Sequence, residues 1–124
     1  EFQETIGLEI MEGRVEKIKL NVNHHNKNLR LPNVGWFPIQ PTEYQTQIST
    51  KILEGINSSD RFYFVHSYSV NMNSPFVTNY IKYQKKKISA VIAKENIIGT
   101  QFHPEKSGLK GLHILKNFIQ YKVV

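Results

Sequence analysis

The hydrophobic positions of the chain follow strand patterns through most of its length and switch to a helical spacing near the C-terminus. After the turn signal Gly13, an imperfect alternation predicts a first strand over 14–22. A second short strand is predicted over 31–36, while the two prolines in 37–42 predict that this stretch is irregular. At most one short helical turn, around 48–53, is predicted before the central part of the chain.

The central part of the chain is rich in aromatic and β-branched residues. Its continuous run FYFV, at 62–65, is typical of a strand that is buried on both faces, and it predicts a central strand. The segments 76–83 and 88–93 flank a lysine-rich stretch and predict an antiparallel hairpin with a longer loop. A further short apolar strand is predicted over 97–102.

Beyond Gly108 the hydrophobic residues recur at three- and four-residue steps, which predicts an amphipathic helix whose apolar stripe packs against the sheet. Ser107 is its predicted N-cap. The segments together predict a strand-rich α/β fold and a single partial domain over 1–124, because one helix cannot cover both faces of a sheet. The stripe consists of Leu109, Leu112, Leu115, Phe118 and Ile119.

The composition is that of an ordinary globular protein. Hydrophobic residues make up 40% of the chain and charged residues 21%, and no run approaches the roughly 18 apolar residues that a membrane span needs. No secretory signal is visible, so we expect a cytoplasmic protein without a membrane partner. The chain has no cysteine, which excludes disulfides and zinc-thiolate sites and removes the commonest nucleophile for acyl transfer.

The formal net charge of +6 raises the question of a nucleic-acid partner. The only dense basic run, at 82–87, lies between two predicted strands. One interpretation is a nucleic-acid-binding module that uses this run together with Tyr80 and Tyr83. The other, which we favour, is a solvated hairpin tip whose lysines protect a sheet edge.

A histidine and a glutamate stand two residues apart, on either side of Pro104, between the last predicted strand and a glycine. If the backbone is extended here, His103 and Glu105 project to the same side and can pair. A carboxylate bonded to one imidazole nitrogen fixes the tautomer and leaves the other nitrogen free to accept a proton from a nucleophile. The spacing alone fits a catalytic pair or a surface ion pair.

Polar residues also follow the FYFV run, where α/β sheets usually open their crevice. His66 is there either a histidine satisfied by hydrogen bonds at the rim of the sheet or a functional group. Ser67 lacks the Gly-x-Ser-x-Gly elbow of a serine hydrolase, and no glycine-rich phosphate loop occurs. No cofactor and no metal site is predicted.

Four segments, in the order GLEIMEGRV, PNVGW, FYFVHSY and GTQFHPEKSG, resemble the C-terminal part of the triad-type class I glutamine amidotransferases, which are flavodoxin-like α/β domains. The resemblance is greatest to the glutaminase subunits of imidazole glycerol phosphate synthase. In that family a cysteine attacks the carboxamide of glutamine and releases ammonia. The resemblance implies that His103 is the general base and acid, that Glu105 orients it, and that Ser67 and Tyr68 belong to the stretch that holds glutamine.

The resemblance also implies a partner, a (β/α)8-barrel synthase subunit that receives the ammonia. Trp36 and Lys106 match positions near the mouth where this partner docks, and Asn33 lies in the same presumed docking loop. Asn33 and Phe37 depart from the residues that the synthase subunits commonly have, so a paralogue serving surface-polysaccharide sugars is the alternative within the family. A non-catalytic interaction subunit is a further alternative.

The family's nucleophilic cysteine would lie upstream of this chain, so the resemblance implies that the 124 residues alone are inactive. The strands that the chain lacks would leave apolar surface at 62–65 exposed, from which we expect poor solubility or association of the chain alone.

Overall fold

The computed structural model describes residues 4–20 and 30–122. Within these residues the chain forms eight strands and two α-helices, and a 3-10 turn precedes the last helix. The predicted strand-rich α/β arrangement with a C-terminal helix is confirmed. In chain order the elements are β1 (Val15–Lys17), β2 (Asn33–Pro38), β3 (Gln40–Pro41), α1 (Gln47–Ile52), β4 (Arg61–His66), β5 (Tyr68–Val70), β6 (Val77–Tyr83), β7 (Lys86–Lys94), β8 (Ile97–Thr100), the 3-10 turn Pro104–Lys106 and α2 (Gly108–Gln120).

The strands form three sheets, and every ladder in the described residues is antiparallel. The largest sheet has the order β3-β6-β7-β8, while β1 pairs with β5 and β2 pairs with β4. The β2–β4 ladder runs from Asn33 opposite His66 to Pro38 opposite Arg61. This ladder carries Asn33 and Trp36 of the predicted interface, and its strand β4 ends at His66.

One hydrophobic cluster joins both helices to β4, β6 and β7. The ring of Phe102 lies 4.7 Å from that of Phe62 and 5.6 Å from that of Phe64. Phe102 immediately precedes His103, so the residue before the candidate catalytic turn is fixed in the core. The buried members of the cluster include Ile48, Ile52, Phe62, Phe64, Ile81, Ile88, Val91, Phe102 and Ile114.

The prediction that β4 is buried on both faces is wrong. Phe62 and Phe64 are fully buried, but Val65 is 38% exposed and Tyr63 is only partly buried. Successive side chains of a strand point to opposite faces, and only one face of the β2–β4 ladder is covered by the core. The exposed apolar surface expected within 62–65 is therefore found on the outer face of this ladder.

The prediction that 37–42 is irregular is also wrong, because β2 continues to Pro38 and β3 includes Pro41. The backbone N–H and C=O of Tyr63 bond away from β2, to Ser107 and His103. Trp36 and Tyr63 are therefore a pair without hydrogen bonds to each other. Such pairs alternate with hydrogen-bonded pairs along an antiparallel ladder, so Pro38 and Arg61, two residues further on, also form a pair without hydrogen bonds. A proline is tolerated at such a position because it has no N–H to leave unpaired.

Three further predictions need their bounds adjusted. The first strand is confined to β1, and residues 21–22 of the predicted 14–22 lie outside the described residues. The helical turn predicted around 48–53 is α1, which begins after a capping box formed by Thr46 and Ser49. The strand predicted over 97–102 is β8, which ends at Thr100.

The β6–β7 hairpin forms as predicted, but a two-residue connection replaces the longer loop, since Tyr83 pairs with Lys86. Two lysines of its basic tip contact the protein itself. Lys86 Nζ donates to the carbonyl oxygen of Lys19 at 2.6 Å, and Lys87 Nζ lies 4.7 Å from the centroid of the Tyr80 ring. These contacts favour the hairpin-tip interpretation of the lysine-rich run.

Helix α2 forms in the predicted place, but its apolar stripe is not buried. Gly111 and Ile114 are its buried residues, whereas Leu109 is 85% and Ile119 81% exposed. The periodicity predicted the helix correctly, but the prediction that its apolar stripe packs against the sheet is wrong. An apolar stripe does not specify which surface covers it. No helix in the described part of the chain is long and apolar enough to cross a membrane.

Candidate functional site

The predicted pair of His103 and Glu105 forms, with His103 Nδ1 2.8 Å from Glu105 Oε1. The backbone that brings the two side chains together is not the predicted extended one. His103 is extended, at φ −98° and ψ 99°, and the 3-10 turn begins at Pro104 directly after it. Proline favours the first position of such a turn because its φ is already set and it has no N–H to satisfy.

The chemistry of the pair determines the tautomer of His103. A hydrogen bond from the backbone N–H of Glu105, and next the bond from His103, hold the pKa of the Glu105 carboxyl below its usual range. An ionised carboxylate can only accept, so the shared proton resides on Nδ1. Nε2 is then the basic nitrogen, and it makes no hydrogen bond within the described residues.

The turn is attached to β4 by two hydrogen bonds, and a third bond closes the turn itself. The His103 N–H donates to the carbonyl oxygen of Tyr63 at 3.1 Å. Ser107 Oγ accepts from the Tyr63 N–H at 3.0 Å and donates to the carbonyl oxygen of His103 at 2.6 Å. Ser107 precedes α2 as predicted, but its hydroxyl makes no capping bond to the helix, because it is used to fix the turn.

Gly111 allows α2 to approach this turn closely. A Cβ added at Gly111 would lie 1.9 Å from the carbonyl oxygen of Pro104, which is far inside van der Waals contact. The glycine therefore determines how near the helix can bring the turn to β4. Tyr63, Ser107 and Gly111 position the pair, yet the sequence analysis assigned none of them that role.

His66 has a different environment, at the far end of β4. Its Nδ1–H donates to the carbonyl oxygen of Tyr68 at 2.9 Å, so Nε2 is the acceptor for Asn33 Nδ2 at 3.1 Å. The residue is 8% exposed, and burial lowers the pKa of its imidazole, against the opposing effect of the bond to Tyr68. Of the two interpretations left open, the structure matches a histidine satisfied by hydrogen bonds.

Ser67 and Tyr68 directly follow the end of β4, whereas the His103 N–H is bonded to Tyr63 within β4. At about 3.3 Å per residue, Ser67 lies on the order of 13 Å along the chain direction from Tyr63 and hence from the His103 region. The backbone at Ser67 is fixed, since its carbonyl oxygen accepts from the Ile18 N–H at 2.9 Å. The structure thus places Ser67 and Tyr68 beyond the end of β4, the strand to which His103 is bonded.

The three predicted interface residues differ in accessibility. Trp36 is 47% exposed on the outer face of β2, where its ring lies 5.8 Å from that of Tyr63. Lys106 is exposed on the 3-10 turn, directly after Glu105. Asn33 is only 1% exposed and is bonded to His66, so it lies beneath this surface. Tyr63 therefore contacts Trp36 through its ring and His103 through its backbone.

The comparison with protein families decides the class of the chain. Residues 5–121 match the family model of glutamine amidotransferase class-I. The chain belongs to this family. The His103–Glu105 turn and helix α2 both lie within the matched residues, so both are parts of the family's domain.

Several curated relatives that match most of this chain are named imidazole glycerol phosphate synthase subunit HisH. The protein from Pelagibacter ubique is 39% identical over 96% of this chain and 53% of its own length. The protein from Caldanaerobacter subterraneus is 40% identical over 92% and 50%, and that from Methanocaldococcus jannaschii 38% identical over 92% and 52%. The chain spans about half the length of the curated relatives it matches.

A solved structure supports the fold independently. A protein from Thermoplasma acidophilum, described as a component of GMP synthase, superposes with a TM-score of 0.59. The match covers 86% of this chain and 47% of the other, at 20% sequence identity. At this identity the likeness establishes the fold only.

Proposed function

We propose that this chain carries the histidine and glutamate of a glutaminase triad, in a subunit that supplies ammonia to imidazole glycerol phosphate synthase. The observation that carries the proposal is the 2.8 Å contact between His103 Nδ1 and Glu105 Oε1. It leaves Nε2 as a base on a turn that is bonded to β4. The names of the relatives favour this synthase over a synthase of surface-polysaccharide sugars.

The chain supplies the proton transfers of the reaction, and the nucleophilic cysteine belongs to the part of the domain outside these residues. His103 Nε2 accepts the thiol proton as sulfur bonds to the carboxamide carbon, and it returns the proton to nitrogen as the carbon–nitrogen bond breaks. Ammonia leaves and a thioester remains. Water then attacks the thioester, again with His103 as base and then acid, and releases glutamate and the thiol. Glu105 stabilises the imidazolium in both steps.

The substrate and the partner occupy different parts of the β2–β4 ladder in this proposal. The backbone at Ser67 and Tyr68 helps to hold glutamine, and the interval of about 13 Å from the His103 region leaves room for the carboxamide and the thiol. The barrel subunit docks over Trp36 and Lys106, which are both accessible. Asn33 acts from beneath by fixing the end of β4 through His66.

The exposure of the pair indicates that the site is incomplete in this chain. The side chains of His103 and Glu105 are 40% and 56% exposed, whereas acid–base chemistry on an acyl group is favoured where water is excluded. We therefore propose a partial domain over 1–124 whose remaining walls and cysteine come from the other half of the domain. The complete subunit works in the cytoplasm as a heterodimer with the barrel.

The test uses the part of the Pelagibacter ubique relative that its alignment with this chain leaves uncovered, hereafter the complementary part. Co-expression of this chain with the complementary part is expected to yield a reconstituted domain that releases glutamate and ammonia from glutamine. The barrel synthase subunit of the same organism is added in a second assay, because partner docking can be required for activity.

The 124-residue chain alone is the control, and we expect no ammonia from it because it has no cysteine. Ammonia released by the chain alone would contradict the proposal. A reconstituted domain that binds the barrel yet leaves glutamine intact would favour a non-catalytic interaction subunit instead.

A further inference from the structure

Helix α2 is attached to the protein by polar side chains as well as by its buried residues Gly111 and Ile114. Residues 110, 113 and 117 follow one side of the helix at helical spacing and donate hydrogen bonds to carbonyl groups at and just after the end of α1. Such carbonyl groups have no partner within their own helix, so α2 satisfies them. The bonds run from Lys110 to Gly55 at 3.1 Å, from His113 to Glu54 at 2.8 Å and from Asn117 to Ile52 at 2.9 Å.

The opposite side of α2 presents its apolar stripe to solvent, and we call this side the outer face. Leu112 is 57% exposed, between Leu109 and Ile119, which are exposed by more than four fifths. Positions three and four apart lie over one another on a helix, so these side chains form a continuous strip. The outer face consists of Leu109, Leu112, Leu115 and Ile119, with the half-exposed Phe118 at its margin.

An apolar strip of this kind indicates an interface, because single-chain proteins seldom leave contiguous apolar residues in water. The polar anchors fix which side of the helix faces outward, so the strip cannot turn inward without breaking three hydrogen bonds. Something outside the described residues must therefore cover it.

The occupant follows from the comparisons. Helix α2 lies within the residues that match the family model, so it is part of the domain and not an added tail. The chain spans only 50% to 53% of the Pelagibacter and Caldanaerobacter relatives, so the domain has a further half. We infer that the outer face of α2 is the docking surface for the half of the amidotransferase domain that this chain does not span. This inference rests on family membership and not on the glutaminase chemistry.

The absence of cysteine from the chain provides a direct test. Single variants Leu112→Cys and Ile119→Cys place one thiol in the outer face, and Val15→Cys places one on β1, where Val15 is 66% exposed. Each variant is treated with a maleimide, alone and after co-purification with the complementary part as a separate polypeptide. Intact mass spectrometry follows the labelling of this chain only, so thiols on the other polypeptide do not interfere.

Labelling at positions 112 and 119 is expected to slow at least tenfold in the co-purified complex, while labelling at position 15 changes less than threefold. Unchanged labelling at 112 and 119 in the complex overturns the inference, and so does failure of the two polypeptides to co-purify. Labelling that slows with rising concentration of the chain alone, and is not slowed further by the complementary part, identifies a second copy as the occupant and also overturns it. Protection without glutaminase activity supports this inference while contradicting the proposed function.

Discussion

Two histidines, one bonded beside strand β4 and one at its end, have nearly opposite environments. His103 lies on an exposed turn with one ring nitrogen bonded to Glu105, and its other nitrogen has no partner among the described residues. His66 is buried, and both of its nitrogens are bonded, to Asn33 and to Tyr68. A histidine can transfer protons only through a nitrogen that a reacting group can reach. The neighbours of each ring therefore separate the proposed base from a histidine that is satisfied by hydrogen bonds.

The two histidines also differ in their electrostatic surroundings. His103 has an anionic carboxylate oxygen 2.8 Å from its Nδ1, whereas burial lowers the pKa of His66 and favours its neutral form. The first arrangement assists a proton that arrives and leaves during a reaction. The second arrangement links Asn33 to the backbone of Tyr68, and the protonation of His66 is coupled to the free energy of unfolding.

The largest expected effect is the loss of the base. In the reconstituted domain, His103→Ala is expected to lower kcat for glutamine hydrolysis by about 10³- to 10⁴-fold, because no other group accepts the thiol proton. The matched variant His66→Gln should keep kcat within about tenfold, once normalised to folded protein. Steady-state ammonia release measures both, and a His103→Ala domain with more than a tenth of the original kcat would remove His103 from the mechanism.

Glu105→Gln should have a smaller effect, about 10²-fold in kcat, because the amide retains a hydrogen-bond acceptor but loses the charge. In the unmodified protein the lowered pKa of Glu105 keeps it ionised through the working range. Its removal takes away the anionic partner of His103 Nδ1, so kcat should fall while the domain still folds. Steady-state ammonia release, normalised to folded protein, measures the effect, and an unchanged kcat would remove Glu105 from the mechanism.

How far the sequence predicts this molecule can be seen at individual residues. The spacing of His103 and Glu105 predicted their contact correctly, although through an extended backbone that the 3-10 turn replaces. The contact still forms because His103 is extended and the turn begins at Pro104, which keeps the side chains of residues 103 and 105 close together. The contribution of Gly111 could not be predicted, because it depends on where Pro104 lies across the helix–turn contact.

The strand and helix patterns show the same limit. The apolar run of β4 and the periodicity of α2 identified two elements and misassigned their faces, since Val65 and Leu112 are both exposed. A hydrophobic pattern reports which residues avoid water in the complete protein. The chain spans half of its relatives' length, so surfaces that are exposed here are compatible with burial in the whole domain.

Gly111→Ala should disturb the His103 turn without changing the side chain of His103 or Glu105. The added Cβ would lie 1.9 Å from the Pro104 carbonyl oxygen, so the turn or the helix must move. We expect a loss of about 1–3 kcal/mol in the free energy of unfolding and about tenfold in kcat. Gly7→Ala is the control, since a Cβ there meets no atom within 4 Å. Urea denaturation and ammonia release that are unchanged in Gly111→Ala would show that the turn does not depend on this contact.

The smallest expected effect concerns His66 and tests the other side of the comparison. Burial lowers its folded-state pKa below the ordinary value of 6.5, so the unfolded chain binds the proton more readily. The stability that His66 contributes is therefore fully present above pH 6.5 and is lost as the pH falls from there through the folded-state value. One such group can change the free energy of unfolding by at most about 1.4 kcal/mol per pH unit. Urea titrations of the chain between pH 7.5 and 5 should show a steeper decline than the same titrations of His66→Gln. Equal declines would mean that His66 is protonated as easily in the folded protein as in the unfolded one, and the contrast with His103 would then rest on hydrogen-bond geometry alone.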